Sequence, residues 1–124
     1  MKVRCIKLLD SFGREIEHSS WLSIGSIYHV MAIYIEPDGK RSFSIISRQR
    51  EGEWPQMGNH SDECFEVISE MIPSNWRAWE DKNASGISPL AWQTVGFYEA
   101  FYDHDPTVYP IFERERDIIV SEDP

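Results

Sequence analysis

Long apolar runs are missing from this sequence. The most apolar stretch, around Ile27–Ile35, is interrupted by His29 and falls far short of the roughly 20 residues that a helix needs to cross hydrocarbon. A helical membrane protein is therefore not expected. Near the start, Lys2, Arg4 and Lys7 interleave with Val3, Cys5 and Ile6, and Asp10 arrives before a continuous apolar segment forms, so no secretory signal is read. Cysteine is rare too. Cys5 and Cys64 suit a reducing compartment, which leaves them as small buried thiols, and the chain reads as cytoplasmic. Sequence leaves a bridge between the two open.

Catalytic signatures are also lacking. There is no Gly-rich phosphate loop, no Gly-x-Ser-x-Gly elbow and no His-Glu-x-x-His helix. The histidines, His18, His29, His60 and His104, are scattered, and none stands beside a nucleophile along the chain. Cys64 with His60 or His29 is only one of the pairings that such a composition allows. Two groupings resemble metal ligands. Asp103-His104-Asp105 are adjacent, so on a helix they point in different directions. His60, Asp62 and Cys64 alternate, yet no second Cys/His pair stands at the spacing of a structural zinc site. The expectation is a non-enzymatic protein without cofactor or metal.

What is abundant is negative charge. Lys and Arg total 12 against 21 Asp and Glu, a formal net charge of −9. Residues 1–60 carry eight basic and seven acidic side chains (net +1), whereas residues 61–124 carry four and fourteen (net −10). Such a field repels nucleic acid and anionic membrane and attracts cationic surfaces. One local grouping runs the other way: Arg41, Arg48 and Arg50 with Tyr34, Phe43 and Trp54 form a basic, aromatic cluster, but Glu51 and Glu53 intervene.

With 124 residues in ordinary globular proportions, the chain forms one domain, residues 1–124. Residues 1–80 read as strands. The clearest is Ile27–Glu36, rich in β-branched and aromatic residues at both parities; Pro37-Asp38-Gly39 turns it into Arg41–Arg48 as an antiparallel hairpin. Cys64–Ser69 and Trp76–Glu80 are further short strands, while Gln49–Asp62 and Asp81–Ser88 read as loop. Residues 88–120 change period. Ser88-Pro89 opens a turn through Trp92, and Phe97, Tyr98, Phe101 and Tyr102 make an aromatic stripe at helical spacing. Asp105-Pro106 reads as the cap of a last helix, in which Val108, Ile111, Phe112, Glu115 and Ile119 keep the spacing and Pro110 is a local defect. The tail from Ser121 to Pro124 is expected to fray. The fold class is α+β, mainly β: a five-stranded SH3-like barrel or bent antiparallel sheet with C-terminal helices.

The acidic C-terminal part supplies the candidate site. Glu99, Asp103, Glu113, Glu115 and Asp117 are the candidate electrostatic contacts for a cationic partner, and Tyr98 and Tyr102 the candidate anchors, since Tyr is common among interface hot spots. Phe97 and Phe101 read as packing.

Several segments carry a resemblance. Val3-Arg4-Cys5-Ile6, Trp21-Leu22-Ser23-Ile24-Gly25 leading to Tyr28-His29-Val30, Phe65-Glu66-Val67-Ile68, Ile72-Pro73-Ser74-Asn75-Trp76, and Gly96-Phe97-Tyr98-Glu99 running to Asp103-His104-Asp105-Pro106 make the chain similar to small bacterial immunity proteins of contact-dependent growth inhibition and other polymorphic toxin systems. The resemblance implies an inhibitor that binds a cognate toxin C-terminal domain, often a nuclease with a basic active site. It implies no catalytic residues. The alternative from another class is a small SH3-like module that binds RNA or a peptide.

Overall fold

The β-branched run of the sequence becomes the hub of a sheet. The computed structural model describes residues 1–124. Its strands are β1 (Lys2–Cys5), β2 (Ile27–Ile35), β3 (Arg41–Arg48), β4 (Gln56–Ser61), β5 (Phe65–Ser69), β6 (Trp76–Glu80) and β7 (Ser85–Pro89); its helices are α1 (Phe97–Tyr102) and α2 (Tyr109–Glu122). The β2–β3 hairpin forms as expected, with Ile33 opposite Phe43 and Ile35 opposite Arg41. Its turn is closed by Asp38, whose carboxylate accepts from the Lys40 N–H at 2.9 Å.

On its other edge β2 changes partner halfway. Lys2 of β1 lies opposite His29, and Ile87 of β7 lies opposite Ile33. A bulge between Val30 and Ala32 marks the changeover. There the Val30 N–H donates to the Met1 carbonyl at 3.0 Å, and the Met31 carbonyl accepts from the Trp76 indole at 3.0 Å. Backbone groups between two partner strands are thus kept satisfied. Val30, Met31 and Ala32 are all buried, so both faces of the hub are covered, as the mixed parity of its apolar residues predicts.

The main path of the sheet runs β4-β3-β2-β1-β5, with the β6–β7 hairpin joined to β2. No pairing links β4 to β5, although only the 3-10 turn Asp62–Cys64 separates them. The architecture is an open antiparallel sheet with two C-terminal helices. It has seven strands rather than five, because β4 and β7 form inside the segments read as loops. Both are poor in strand-formers, Gln-Met-Gly-Asn-His-Ser and Ser-Gly-Ile-Ser-Pro. The neighbouring strand imposes the extended backbone on them, which is how tertiary pairing overrides propensity.

Helix α1 starts late because Gly96 before it is left-handed, at φ 83°. It ends at Tyr102, with Asp103 as its C-terminal cap. Pro110 is not a defect: it sits in the first turn of α2, where no backbone donor is required. Nor does Asp105 cap that helix. Its carboxylate folds onto Thr107, accepting from the backbone N–H at 2.9 Å and the hydroxyl at 2.7 Å, and the helix starts only after Val108. The aromatic stripe packs as read. Trp92 stacks between Phe97 and Phe112, at 5.8 and 5.4 Å, and Phe101 meets Phe112 at 4.8 Å. Each of these buried rings contributes about 1.5–3 kcal/mol of hydrophobic stabilisation.

The tail is held fast instead of fraying. Asp123 receives the Met1 ammonium at 3.0 Å and the Ser69 hydroxyl at 2.6 Å, with Lys2 at 3.9 Å. Its carbonyl lies 2.6 Å from His29 Nε2, Lys2 donates to the Pro124 carbonyl at 2.7 Å, and the Ser74 N–H donates to Glu122 at 2.7 Å. The end of α2 is thereby tied to β1, β2 and β5.

Candidate functional site

Small residues on one face of the sheet leave a hollow that larger ones would fill. Ala32, Ser44 and Asn59 lie in register across β2, β3 and β4. Beside them Tyr34 of β2 pairs with Gly86 of β7, which pairs with Trp79 of β6. The two rings approach one another, 5.8 Å between centroids. Gly86 permits this: a Cβ there would stand 2.5 Å from the Ile33 carbonyl oxygen and 2.8 Å from the Trp79 ring. Over this floor lie the 3-10 turn Leu90–Gln93 and α1, enclosing a cavity of about 570 Å³. That falls within the roughly 300–1,000 Å³ of ligand pockets.

Three of the seven predicted site residues converge here. Tyr98, Glu99 and Tyr102 line the cavity from α1. Tyr102 anchors the helix by donating to the Met57 carbonyl at 3.1 Å. Burial, helped by the nearby Tyr102, pushes the Tyr98 phenol up to about 12 against the opposing hydrogen bond with Ser88, so it stays a neutral phenol at physiological pH. Burial raises Tyr102 as well. The carboxylates of Glu99 and Asp103, four residues apart, are solvent-exposed, and the structure gives neither an ion pair nor a side-chain hydrogen bond. Glu99 is the only charged side chain in the lining.

The other four do not join them: Asp103 follows α1 outside the lining, and three lie on α2. Glu113 and Asp117 both face Arg116, at 3.7 and 2.9 Å. Arg116 in turn lies over the Phe112 ring and bonds Gln49, which fixes α2 to the loop after β3. Glu115 is buried, 8% exposed, with Arg114 at 3.6 Å, so it is not a surface contact. The reason is phase: Phe112, Glu115 and Ile119 form the buried stripe of α2. Trp92 and Tyr109 belong to the packing, Trp92 fully buried and Tyr109 accepting from Gln49 at 2.8 Å.

The basic, aromatic grouping of β3 is likewise dispersed. Arg41 pairs with Asp62 at 3.0 Å and Arg48 with Glu53 at 3.8 Å. Phe43 is in the core, and Trp54 is sandwiched among His104, Phe101 and Tyr109. Within Asp103-His104-Asp105, His104 stacks on Trp54 and Asp105 binds Thr107, and no three His, Cys, Asp or Glu side chains converge on one point. Both cysteines are buried, and burial raises their pKa, which holds them as thiols. No helix is long and apolar enough to cross a membrane.

Tyr34 and Trp79 were missed as site residues, and the sequence held one signal for them. A glycine central to a strand marks a close approach by a neighbour, and Gly86 lies within a segment read as loop. Comparison with protein-family models, curated proteins and solved structures finds no match for this chain.

Proposed function

We infer that this chain is a non-enzymatic binding protein that neutralises a cognate, cytosol-acting toxin domain, a nuclease, by occupying its basic surface. The supporting observation is the pair of unpaired carboxylates, Glu99 and Asp103, beside an aromatic cavity with no cationic lining on a chain of net charge −9. A nuclease requires a cationic groove to hold its polyanionic substrate, and an acidic protein competes for the same field. The competing RNA reading is weakened because Arg41 and Arg48 already face carboxylates and Trp54 lies under His104.

The test is association of the chain with the toxin domain encoded by the neighbouring gene, followed over a range of salt concentrations. Glu99→Ser with Asp103→Ser is expected to slow association about tenfold and flatten its salt dependence. Glu113→Ser with Asp117→Ser should have a smaller effect, since Arg116 already offsets those charges. Unchanged association in the Glu99/Asp103 variant would refute charge mimicry by α1, and no complex at all would refute the toxin reading.

A further inference from the structure

We propose that the cavity between α1 and the sheet is a receptor for one arginine side chain of the partner protein, with the Tyr34 and Trp79 rings as its stacking surface and Glu99 as its counter-charge. This rests on the reading that the partner is a cationic protein, and it says where that partner inserts.

Four properties of the cavity lead to this occupant. Its lining contains no Lys, Arg or His, and its single charged group is a carboxylate without a partner. A cation entering therefore meets attraction from Glu99 and no repulsion, while an anion meets the reverse. Tyr34, Trp79, Tyr98 and Tyr102 put four aromatic rings into the lining, and cations are drawn to the faces of such rings. A guanidinium is flat and weakly hydrated, so it stacks on tyrosine and tryptophan where an ammonium keeps its water. An acceptor completes the match. Gln93 commits its Nε2 to the Arg77 carbonyl at 2.8 Å and to the Ser88 carbonyl and hydroxyl at 3.2 and 3.3 Å, leaving its Oε1 as the uncommitted acceptor of the lining. The guanidinium's N–H donors need such an oxygen.

Gly86 shows that the fold keeps the rings where this requires. With any larger residue there, Trp79 could not lie across the strand toward Tyr34. A nucleobase also stacks on aromatic rings, but its phosphate would face Glu99 and the −9 field of the chain.

The probes are N-acetyl-arginine methylamide, the neutral N-acetyl-citrulline methylamide and uridine monophosphate, each titrated into the intact protein while the tryptophan indole resonances are followed. The arginine probe is expected to shift the Trp79 indole and bind with a Kd on the order of 1 mM. The citrulline probe, which has nearly the same shape and no charge, should bind at least about fivefold more weakly. Glu99→Gln should reduce arginine binding by about the same factor while leaving citrulline binding unchanged. Trp79→Phe, which retains a ring in case Trp79→Ala fails to fold, should weaken arginine binding less than Glu99→Gln does. Equal binding of citrulline, no effect of Glu99→Gln, tighter binding of uridine monophosphate, or no shift with the arginine probe each overturns the proposal. Because the toxin is absent from this titration, arginine binding without any toxin complex would uphold the pocket and reject the toxin reading.

Discussion

Gly86 illustrates how one residue can set a site without touching a ligand. It lies opposite Tyr34 on one side and Trp79 on the other, and its missing side chain is the space the Trp79 ring occupies. Gly86→Ala sets a methyl group 2.5 Å from a backbone oxygen, which no side-chain rotation relieves. Strands β2 and β7 must part or Trp79 must turn, at a cost of about 1–3 kcal/mol. Chemical denaturation of the variant should report that loss, accompanied by a change in the Trp79 environment. A variant as stable as the parent, with Trp79 undisturbed, would show that the ring does not depend on the glycine. The same scale separates good site candidates from poor ones. That Tyr98, Glu99 and Tyr102 share one surface is legible in the sequence, because one short helix presents them together. Glu115 is no surface contact despite its charge, because its helical spacing with Phe112 and Ile119 places it on the inward stripe.

Helix α1 ends in an uncommon way. The His104 N–H donates to Phe101, the Asp105 N–H reaches back to Ala100 at 2.9 Å, and His104 itself is left-handed, at φ 57°. This is the closing pattern usually built on glycine. A non-glycine residue there costs about 1 kcal/mol or more. Stacking of His104 on Trp54, 4.9 Å between centroids and 13° from parallel, contributes about 0.5–1.5 kcal/mol and offsets that cost. His104→Ala loses the stack and keeps the strain, so it should destabilise by about 0.5–1.5 kcal/mol. His104→Gly loses the stack but relieves the strain, so thermal unfolding should rank it above the alanine variant, the reverse of the usual order of helix propensity. The opposite ranking would mean the backbone strain is unimportant. Among the elements, the β2–β3 hairpin and the aromatic stripe were readable because local chemistry and tertiary packing agree there. Strands β4 and β7 were unreadable because their extended form comes from β3 and β2, which lie elsewhere in the sequence. The end of α2 was unreadable for a related reason: Asp123 is ordered by Met1, Lys2 and Ser69, all remote along the chain.

Across the molecule, the excess of negative charge in the second half does not become one uniform acidic face. Part of it is exposed and unpaired on α1, part is spent on Arg116, and part is structural. Asp123 is the clearest structural carboxylate, because it joins the first and last elements of the fold. Burial favours its protonated form, but the Ser69 hydroxyl, the Met1 ammonium and Lys2 outweigh this and hold its pKa below the usual carboxylate value. A carboxyl whose pKa is lower folded than unfolded adds stability above its unfolded pKa of about 3.9, and that stability disappears as pH falls through the lower, folded value. Glu122, Asp10 and Asp105 are shifted in the same direction, so the parent's whole acid limb is a sum and only a difference curve isolates Asp123. Asp123→Asn keeps the shape of the side chain but leaves the buried Met1 ammonium without its counter-ion, which at neutral pH should cost about 1–2 kcal/mol. As pH falls through that lowered value the parent protonates Asp123 and loses the same ion pair, so the two stability curves should converge. Denaturant unfolding of both proteins between neutral and strongly acidic pH measures this directly. A constant gap between the curves would mean that the Asp123 charge plays no part in fastening the ends of the chain.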